Sequence, residues 1–256
     1  MKNLLTVEGL KKRLSADIDI EIFESVDSTN NIAKERIAKG CRPWHTVAAL
    51  SQTEGQGRLG RSFFSPMGSG LYFSTVLYPE SFDIELITGA AAVAVCEALE
   101  RGFGLSPKIK WVNDILIDEK KVCGILAKGL HMGEKSAVVL GIGLNLFPPE
   151  GGFPEDIKER AGYLFSEETE GLREKLLAAI LERLICRIGY RNTETADEYR
   201  KRCVTIGKEI DVIPADSAKK TRSGRALDTD ERFRLLVEYE NGEREVLSSG
   251  EVSVRI

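Results

Sequence analysis

At 256 residues, with 42% hydrophobic, 30% charged and 7% aromatic residues, the chain can form one large or two unequal globular domains, and collagen-like, coiled-coil and disordered classes are excluded. Lys plus Arg number 36 against 40 Asp plus Glu, and the formal net charge of -4 gives no global attraction to nucleic-acid backbones. The uncharged stretch from Leu86 to Cys96 falls short of the roughly 18 to 20 apolar residues of a bilayer span, and no apolar leader opens the chain, so a cytoplasmic, non-membrane protein is expected.

The five cysteines are widely spaced and contain no C-x-x-C pair, which predicts reduced, mostly buried thiols. The two histidines, His45 and His131, assemble neither a metal site nor a triad. In chain order, residues 1–26 offer a short helix and an alternating strand around Ile18, Ile20 and Ile22. Asp27, Ser28 and Thr29 supply N-cap chemistry for a helix through about Lys39, which Gly40 terminates. Strands are expected at Thr46–Leu50 and Leu71–Leu77, flanking a polar Gly-rich loop. Asp83 caps a buried helix containing Ile87, Val93 and Leu99. Apolar runs at 109–117, 122–127 and 137–147, separated by Asp118-Glu119-Lys120 and Gly133-Glu134-Lys135, predict an antiparallel meander. A helix is predicted over about Leu172–Arg187, with polar helical residues continuing to Arg202. Beyond Cys203 come short strands at 209–213, 233–239 and 245–247, an Asn241-Gly242 turn and a polar stretch through Asp216, Lys219 and Lys220, together a small β domain of the partly open barrel type.

The loop Gly55-Gln56-Gly57-Arg58-Leu59-Gly60-Arg61-Ser62 formally satisfies G-x-G-x-x-G and a Walker A pattern with Arg for Lys. Both need a helix opening at the last glycine, and Phe63-Phe64-Ser65-Pro66 cannot propagate one. What survives is a flexible loop whose amides can converge on an anion beside two guanidinium forks; the alternative is a Gly-rich hairpin with two solvated arginines. In Lys110-Trp111-Val112-Asn113-Asp114, Asn and Asp interrupt an apolar strand and require partners, from a bulge or from a ligand site. Asn113 and Asn145 equally suit turns, and Lys121 equally suits a solvated hairpin.

Ser28-Thr29-Asn30, Gln52, the Gly55–Arg61 loop, Lys110 to Asp114, Lys121 to Leu126, Gly141 to Asn145 and Gly250 to Arg255 occur in an order and spacing that resembles the biotin protein ligases over nearly the whole chain. The resemblance implies an α+β fold. A mixed, largely antiparallel sheet flanked by helices, like that of class II aminoacyl-tRNA synthetases, would occupy residues 1–203, and a small SH3-like β-barrel residues 204–256. It implies that biotin and MgATP form biotinyl-5'-AMP, whose acyl group passes to one lysine of a biotin carboxyl carrier domain.

By the same resemblance Ser28, Thr29, Asn30 and Gln52 hold the ureido head, while Gln56, Gly57, Arg58, Lys121, Gly124, Leu126 and Gly143 complete the biotin pocket. Arg58, Arg61, Phe63, Lys110, Asn113, Asn145 and Arg255 fall on the ATP side, with metal ligands unassigned. Lys121, Arg58 and Asp114 are the catalytic candidates: positive groups must hold a carboxylate against an α-phosphate, and Asp114 is placed to orient or deprotonate the acceptor lysine. Gln56 departs from the usual Arg of the family loop, and Phe63 from the usual Trp. Larger relatives add a DNA-binding domain ahead of the catalytic one; the expectation here is a monofunctional ligase that binds no DNA, with sheet edges suited to homodimer pairing. The competing readings are a lipoate ligase or octanoyltransferase of the same superfamily, and a binding-only regulator.

Overall fold

The computed structural model describes residues 5–80, 83–132, 135–189, 194–213, 220–248 and 250–254. A short helix α1 (Val7–Lys11) precedes β1 (Ile20–Phe23), α2 (Thr29–Ala38), β2 (Thr46–Ala49) and β3 (Gly70–Leu77). The long helix α3 (Ile84–Phe103) leads to β4 (Lys108–Lys110), β5 (Asp114–Ile117), β6 (Lys120–Met132) and β7 (Lys135–Asn145), followed by α4 (Leu172–Leu184) and α5 (Glu194–Arg202). The seven strands form one sheet in the order β1-β2-β3-β7-β6-β5-β4, parallel at β1/β2 and antiparallel elsewhere. The mixed α+β architecture expected from the sequence is therefore present.

Local chemistry explains the boundaries. Asp83 accepts a hydrogen bond from Leu86 N at 3.1 Å and starts α3, and Gly104, at φ 66°, stops it. Asp118 and Glu119 both take positive φ between β5 and β6, the two-residue turn whose twist matches antiparallel strands. The other expected meander turn, Gly133-Glu134-Lys135, lies outside the described residues apart from the backbone of Lys135. The long helix read over 172–187 ends at Leu184 and passes into a π-turn over Ile185–Gly189.

Alternation along the strands sorts the sheet into two faces. Leu140, Ile142 and Leu144 of β7, with Leu71 and Phe73 of β3, join Val93, Leu99, Leu177 and Leu181 of α3 and α4 in the main core. On the opposite face Val76, Ala137 and Val139 pack beneath Ala33 and Ile37 of α2. Further along that face the strand residues are Gly141 and Gly143 of β7 and Gly124 of β6, so side chains disappear from one stretch of the sheet and leave a hollow.

A second, five-stranded antiparallel sheet contains β8 (Glu209–Ile213), β9 (Arg222–Thr229), β10 (Leu235–Tyr239), β11 (Arg244–Leu247) and β12 (Glu251–Val254), in the order β11-β10-β9-β8-β12. This sheet is compatible with an SH3-like domain. Sequence reading left β9 inside a polar stretch. Its buried positions are Gly224, Ala226 and Thr229, too small or polar to register as an apolar strand, and a β-carbon on Gly224 would lie 2.6 Å from the Glu238 carbonyl.

The two sheets share one continuous core. Trp111 fixes the junction: its backbone N donates to Thr205 Oγ1 at 3.0 Å and its indole Nε1 donates to the Phe233 carbonyl at 2.8 Å. The expected outcome of Trp111→Phe is a loss of about 1–3 kcal/mol, because a buried carbonyl is left unpaired. It is measured as a lower denaturant midpoint at unchanged slope. An unchanged midpoint would show that the indole bond contributes nothing.

Candidate active site

The run expected as one strand over 109–117 is two strands joined by a turn. Lys110 pairs with Asp114 across β4 and β5, and Trp111, Val112 and Asn113 form the connection. Asn113 and Asp114 therefore do not interrupt a strand. Asn113 sits at a corner held by Tyr199, whose hydroxyl donates to the Val112 carbonyl at 3.1 Å. The Asn113 amide donates to Ile125 O at 2.7 Å, and its carbonyl oxygen accepts from Arg58 Nη1 at 3.0 Å. That contact ties the Gly-rich loop to the sheet. The loop is a single 3-10 turn over Arg58–Gly60, closed by Gly57 N to Arg61 O at 2.7 Å, and it opens no α-helix.

A cleft of about 160 Å³ lies over the glycine floor. At one end Gln52 Oε1 accepts from Thr29 N at 2.9 Å and Thr29 Oγ1 at 3.2 Å, while its amide donates to Ser65 Oγ at 3.0 Å. Ser74 Oγ donates within reach of both Thr29 Oγ1 (2.7 Å) and Asn30 Oδ1 (3.1 Å). Ser28 is the N-cap residue of α2, yet its hydroxyl makes no capping bond and is buried without a partner. Asp27 instead accepts from Ser28 N at 2.6 Å. An orphan hydroxyl beside a ring of paired amides and hydroxyls suits a polar head group able to hydrogen-bond it.

The far end is charged. Lys121 Nζ stands 2.6 Å from Asp114 Oδ1, and Asp114 is the one acidic side chain among the described residues lining the cleft. Lys121 is fixed at its backbone: its N donates to Arg160 O at 2.7 Å and its carbonyl accepts from Gly162 N at 2.8 Å. Arg58, Arg61 and Lys110 line the same end.

Between the two ends, the Phe63 ring rests on the floor. A β-carbon at Gly143 would lie 2.6 Å from that ring and would displace it, and one at Gly124 would lie 3.0 Å from it and would crowd it. Tyr72 meets Phe63 edge-on at 6.2 Å between centroids. The cleft thus offers a polar end, an apolar and aromatic middle and a cationic end.

Of the residues singled out from sequence, Thr29, Asn30, Gln52, Gln56, Gly57, Arg58, Arg61, Phe63, Lys110, Asn113, Asp114, Lys121, Gly124, Leu126 and Gly143 all line this one cleft. Ser28 lies behind it, fully buried. Asn145 donates to Gly162 O at 3.0 Å and Lys121 O at 3.4 Å, bracing the Lys121 backbone. Arg255 lies outside the described residues.

Sequence reasoning missed Ser74, Asn31 and Lys128, and it singled out Gly250 to Arg255 without a role for Gly250 and Val252, which line the cleft. Ser74 carried a usable signal, a hydroxyl inside the apolar strand β3. The cysteines form no disulfide: Cys96, Cys123 and Cys203 are buried, Cys41 is half-buried and Cys186 is exposed. Burial pushes the Cys96, Cys123 and Cys203 thiols up, as expected of inert buried thiols. No helix among the described residues is long and apolar enough to cross a membrane.

Comparison with known proteins agrees with this geometry. The Biotin/lipoate A/B protein ligase family matches residues 22–145. The bifunctional ligase/repressor BirA of Bacillus spizizenii is 30% identical over 240 residues, covering 89% of this chain and 72% of that protein. The biotin--[acetyl-CoA-carboxylase] ligase of Mycobacterium tuberculosis is 28% identical over 245 residues, covering 91% and 88%. Among solved structures, biotin protein ligase from Aquifex aeolicus in complex with biotin and ATP superposes with a TM-score of 0.75 at 28% identity, covering 93% of this chain and 98% of that one. The chain belongs to the biotin protein ligases of the biotin/lipoate A/B protein ligase family.

Proposed function

We propose that the protein joins biotin to a lysine of a carrier domain in two steps, through biotinyl-5'-AMP. The observation that carries this reading is a single cleft in which a glycine-floored apolar middle connects a hydrogen-bonding pocket to the Arg58–Lys121 cation cluster. A ligand with a polar ring, an alkyl chain and a terminal carboxylate spans those three zones in order. Thr29, Asn30 and Gln52 would hold the ring, with Ser28 buried behind them, and Lys121 and Arg58 would hold the carboxylate against the α-phosphate of ATP. A carboxylate oxygen bonds to the α-phosphorus as the bond to the β-phosphate breaks, and the cations offset the charge that gathers there. The relatives and solved structures named above are biotin ligases, which favours biotin over lipoate.

In the second step the acceptor lysine attacks the mixed anhydride and AMP leaves. Asp114 is the group suited to orient that amine, once Lys121 has turned toward the anionic substrate. Among the described residues no three His, Cys, Asp or Glu side chains converge on a common point, and Asp114 is already paired. This donor set does not fit a protein-held magnesium ion. Mg2+ would arrive with the nucleotide phosphates, which supply most of its oxygen ligands.

The acceptor we propose is the carboxyl carrier domain of a biotin-dependent carboxylase. We place the protein in the reducing cytoplasm, in keeping with its free cysteines. We also propose a domain boundary near residues 203 and 204, and self-pairing through the edge strand β1. The test is to incubate the protein with biotin, ATP and a purified carrier domain and to weigh the carrier. A single biotinyl addition that requires both ATP and the acceptor lysine is expected. An unmodified carrier, with adenylate present, would mean that this carrier is not the acceptor.

A further inference from the structure

Strand β3 is buried along its whole length, and Ser74 sits in it between Val47 of β2 and Gly141 of β7. A hydroxyl in that setting costs stability unless it is bonded. Its Oγ donates to Thr29 Oγ1 at 2.7 Å, the shorter of its two contacts. Thr29 N and Thr29 Oγ1 both donate to Gln52 Oε1, at 2.9 and 3.2 Å, so the Thr29 proton is spent and that hydroxyl accepts from Ser74. The backbone N–H also fixes which end of the Gln52 amide is oxygen. Gln52 Nε2 donates to Ser65 Oγ at 3.0 Å, and Ser65 Oγ donates to the Phe63 carbonyl at 2.8 Å. Every proton in this series points the same way, from β3 to the root of the Gly-rich loop. Gly55 leaves room for it: a β-carbon there would lie 2.3 Å from the Phe63 carbonyl and 2.7 Å from Ser65 Oγ.

We propose that Ser74 and Ser65 are positioning residues for head-group recognition, the two side-chain ends of a one-way hydrogen-bond series that sets how Thr29 and Gln52 face the ligand. The inference rests on the biotin-ligase reading and deepens it, naming what fixes the polarity of the ring pocket. Neither serine is among the described residues lining the cleft, whereas Thr29 and Gln52 both are. The Gln52 oxygen already holds two donors and one of its two amide hydrogens is used, so what it offers a ligand is one N–H. That group selects a head that presents an acceptor, as a cyclic urea does; a dithiolane ring presents only sulfur, a weak acceptor. Removing Ser74 strips Thr29 Oγ1 of its donor, and removing Ser65 strips Gln52 Nε2 of its acceptor.

The test measures biotin Kd by titration calorimetry on the full chain, with kcat and the KM values for biotin and ATP in adenylate formation. In Ser74→Ala, biotin Kd and KM are expected to rise together by about tenfold, the scale of a lost buried hydrogen bond. At saturating biotin, kcat and the ATP KM should stay within about twofold, since Arg58 and Lys121 are untouched. Ser65→Ala should give the same split, and it carries the test if Ser74→Ala does not fold. In a Thr29→Val background, Ser74→Ala should change biotin Kd by about threefold or less, because its route to the ligand is gone. A purely structural serine would lower the urea midpoint and leave biotin Kd unchanged; that result in both serine variants, or a Ser74→Ala effect undiminished by Thr29→Val, overturns the inference while the ligase reading stands. A wild type that neither binds biotin nor forms its adenylate would overturn the ligase reading and the head-group role with it.

Discussion

Replacing Lys121 by alanine should lower the rate of adenylate formation by about 10² to 10³-fold while leaving the protein folded, the scale of removing one preorganised donor from a developing oxyanion. The backbone of Lys121 is tied to Arg160, Gly162 and Asn145, so the substitution removes the stem and charge without releasing the strand. The ammonium lies 2.6 Å from Asp114 and 6.0 Å from the centre of the Phe63 ring, at the boundary between the apolar floor and the cationic end. That is where a carboxylate and an α-phosphate would meet. Biotin affinity should fall less than the rate, because the head-group contacts at Thr29, Asn30 and Gln52 are untouched. Single-turnover detection of adenylate, with a circular dichroism spectrum as the folding control, separates the two. Adenylate made at the wild-type rate would remove Lys121 from the chemistry.

The second large effect concerns stability. Arg173 is fully buried, and its guanidinium bonds Glu168 at 2.8 Å and the carbonyls of Gly68 and Gly70. Arg173→Met should cost about 3–5 kcal/mol, because one carboxylate and two carbonyls lose their donor together. Arg173→Lys should recover little of this, since one compact ammonium cannot reproduce the fork that spans Glu168 and both carbonyls. Gly68 and Gly70 end the segment that carries Gln52, the Gly-rich loop and Phe63, so weaker biotin binding should accompany the loss. Urea unfolding measures the first effect; a loss below about 1 kcal/mol would show that water replaces the guanidinium at no cost.

Much of the site was legible in the sequence because its chemistry is concentrated in short segments. Gly-x-Gly with two arginines, Lys110 to Asp114 and Lys121 to Leu126 each suit a plain turn or hairpin taken alone; their order and spacing together pointed to a site, and all three converge on one cleft. The helix start at Asp83 and the helix stop at Gly40 were legible for the same reason. Long-range partners were not. Arg173 sits at the start of a helix whose apolar spacing hides a buried guanidinium, and its carbonyl partners are more than 100 residues away.

Lys128 continues an apolar strand and looks like a surface residue until β6 brings it beside α2 and the loop. The turn at Trp111 escaped notice because Trp and Val suit a strand by propensity, while tertiary bonds to Thr205, Phe233 and Tyr199 hold them in a corner. Strand β9 escaped because small inward residues leave no periodic signal.

On this reading the cleft activates biotin. Its most direct test is to incubate the purified protein with MgATP and either biotin or lipoate, then assay released pyrophosphate and identify the bound acyl-adenylate by mass spectrometry. Biotinyl-5'-AMP and pyrophosphate are expected with biotin, and neither with lipoate. Lipoyl-adenylate in place of biotinyl-adenylate, or no adenylate from either acid, would contradict it.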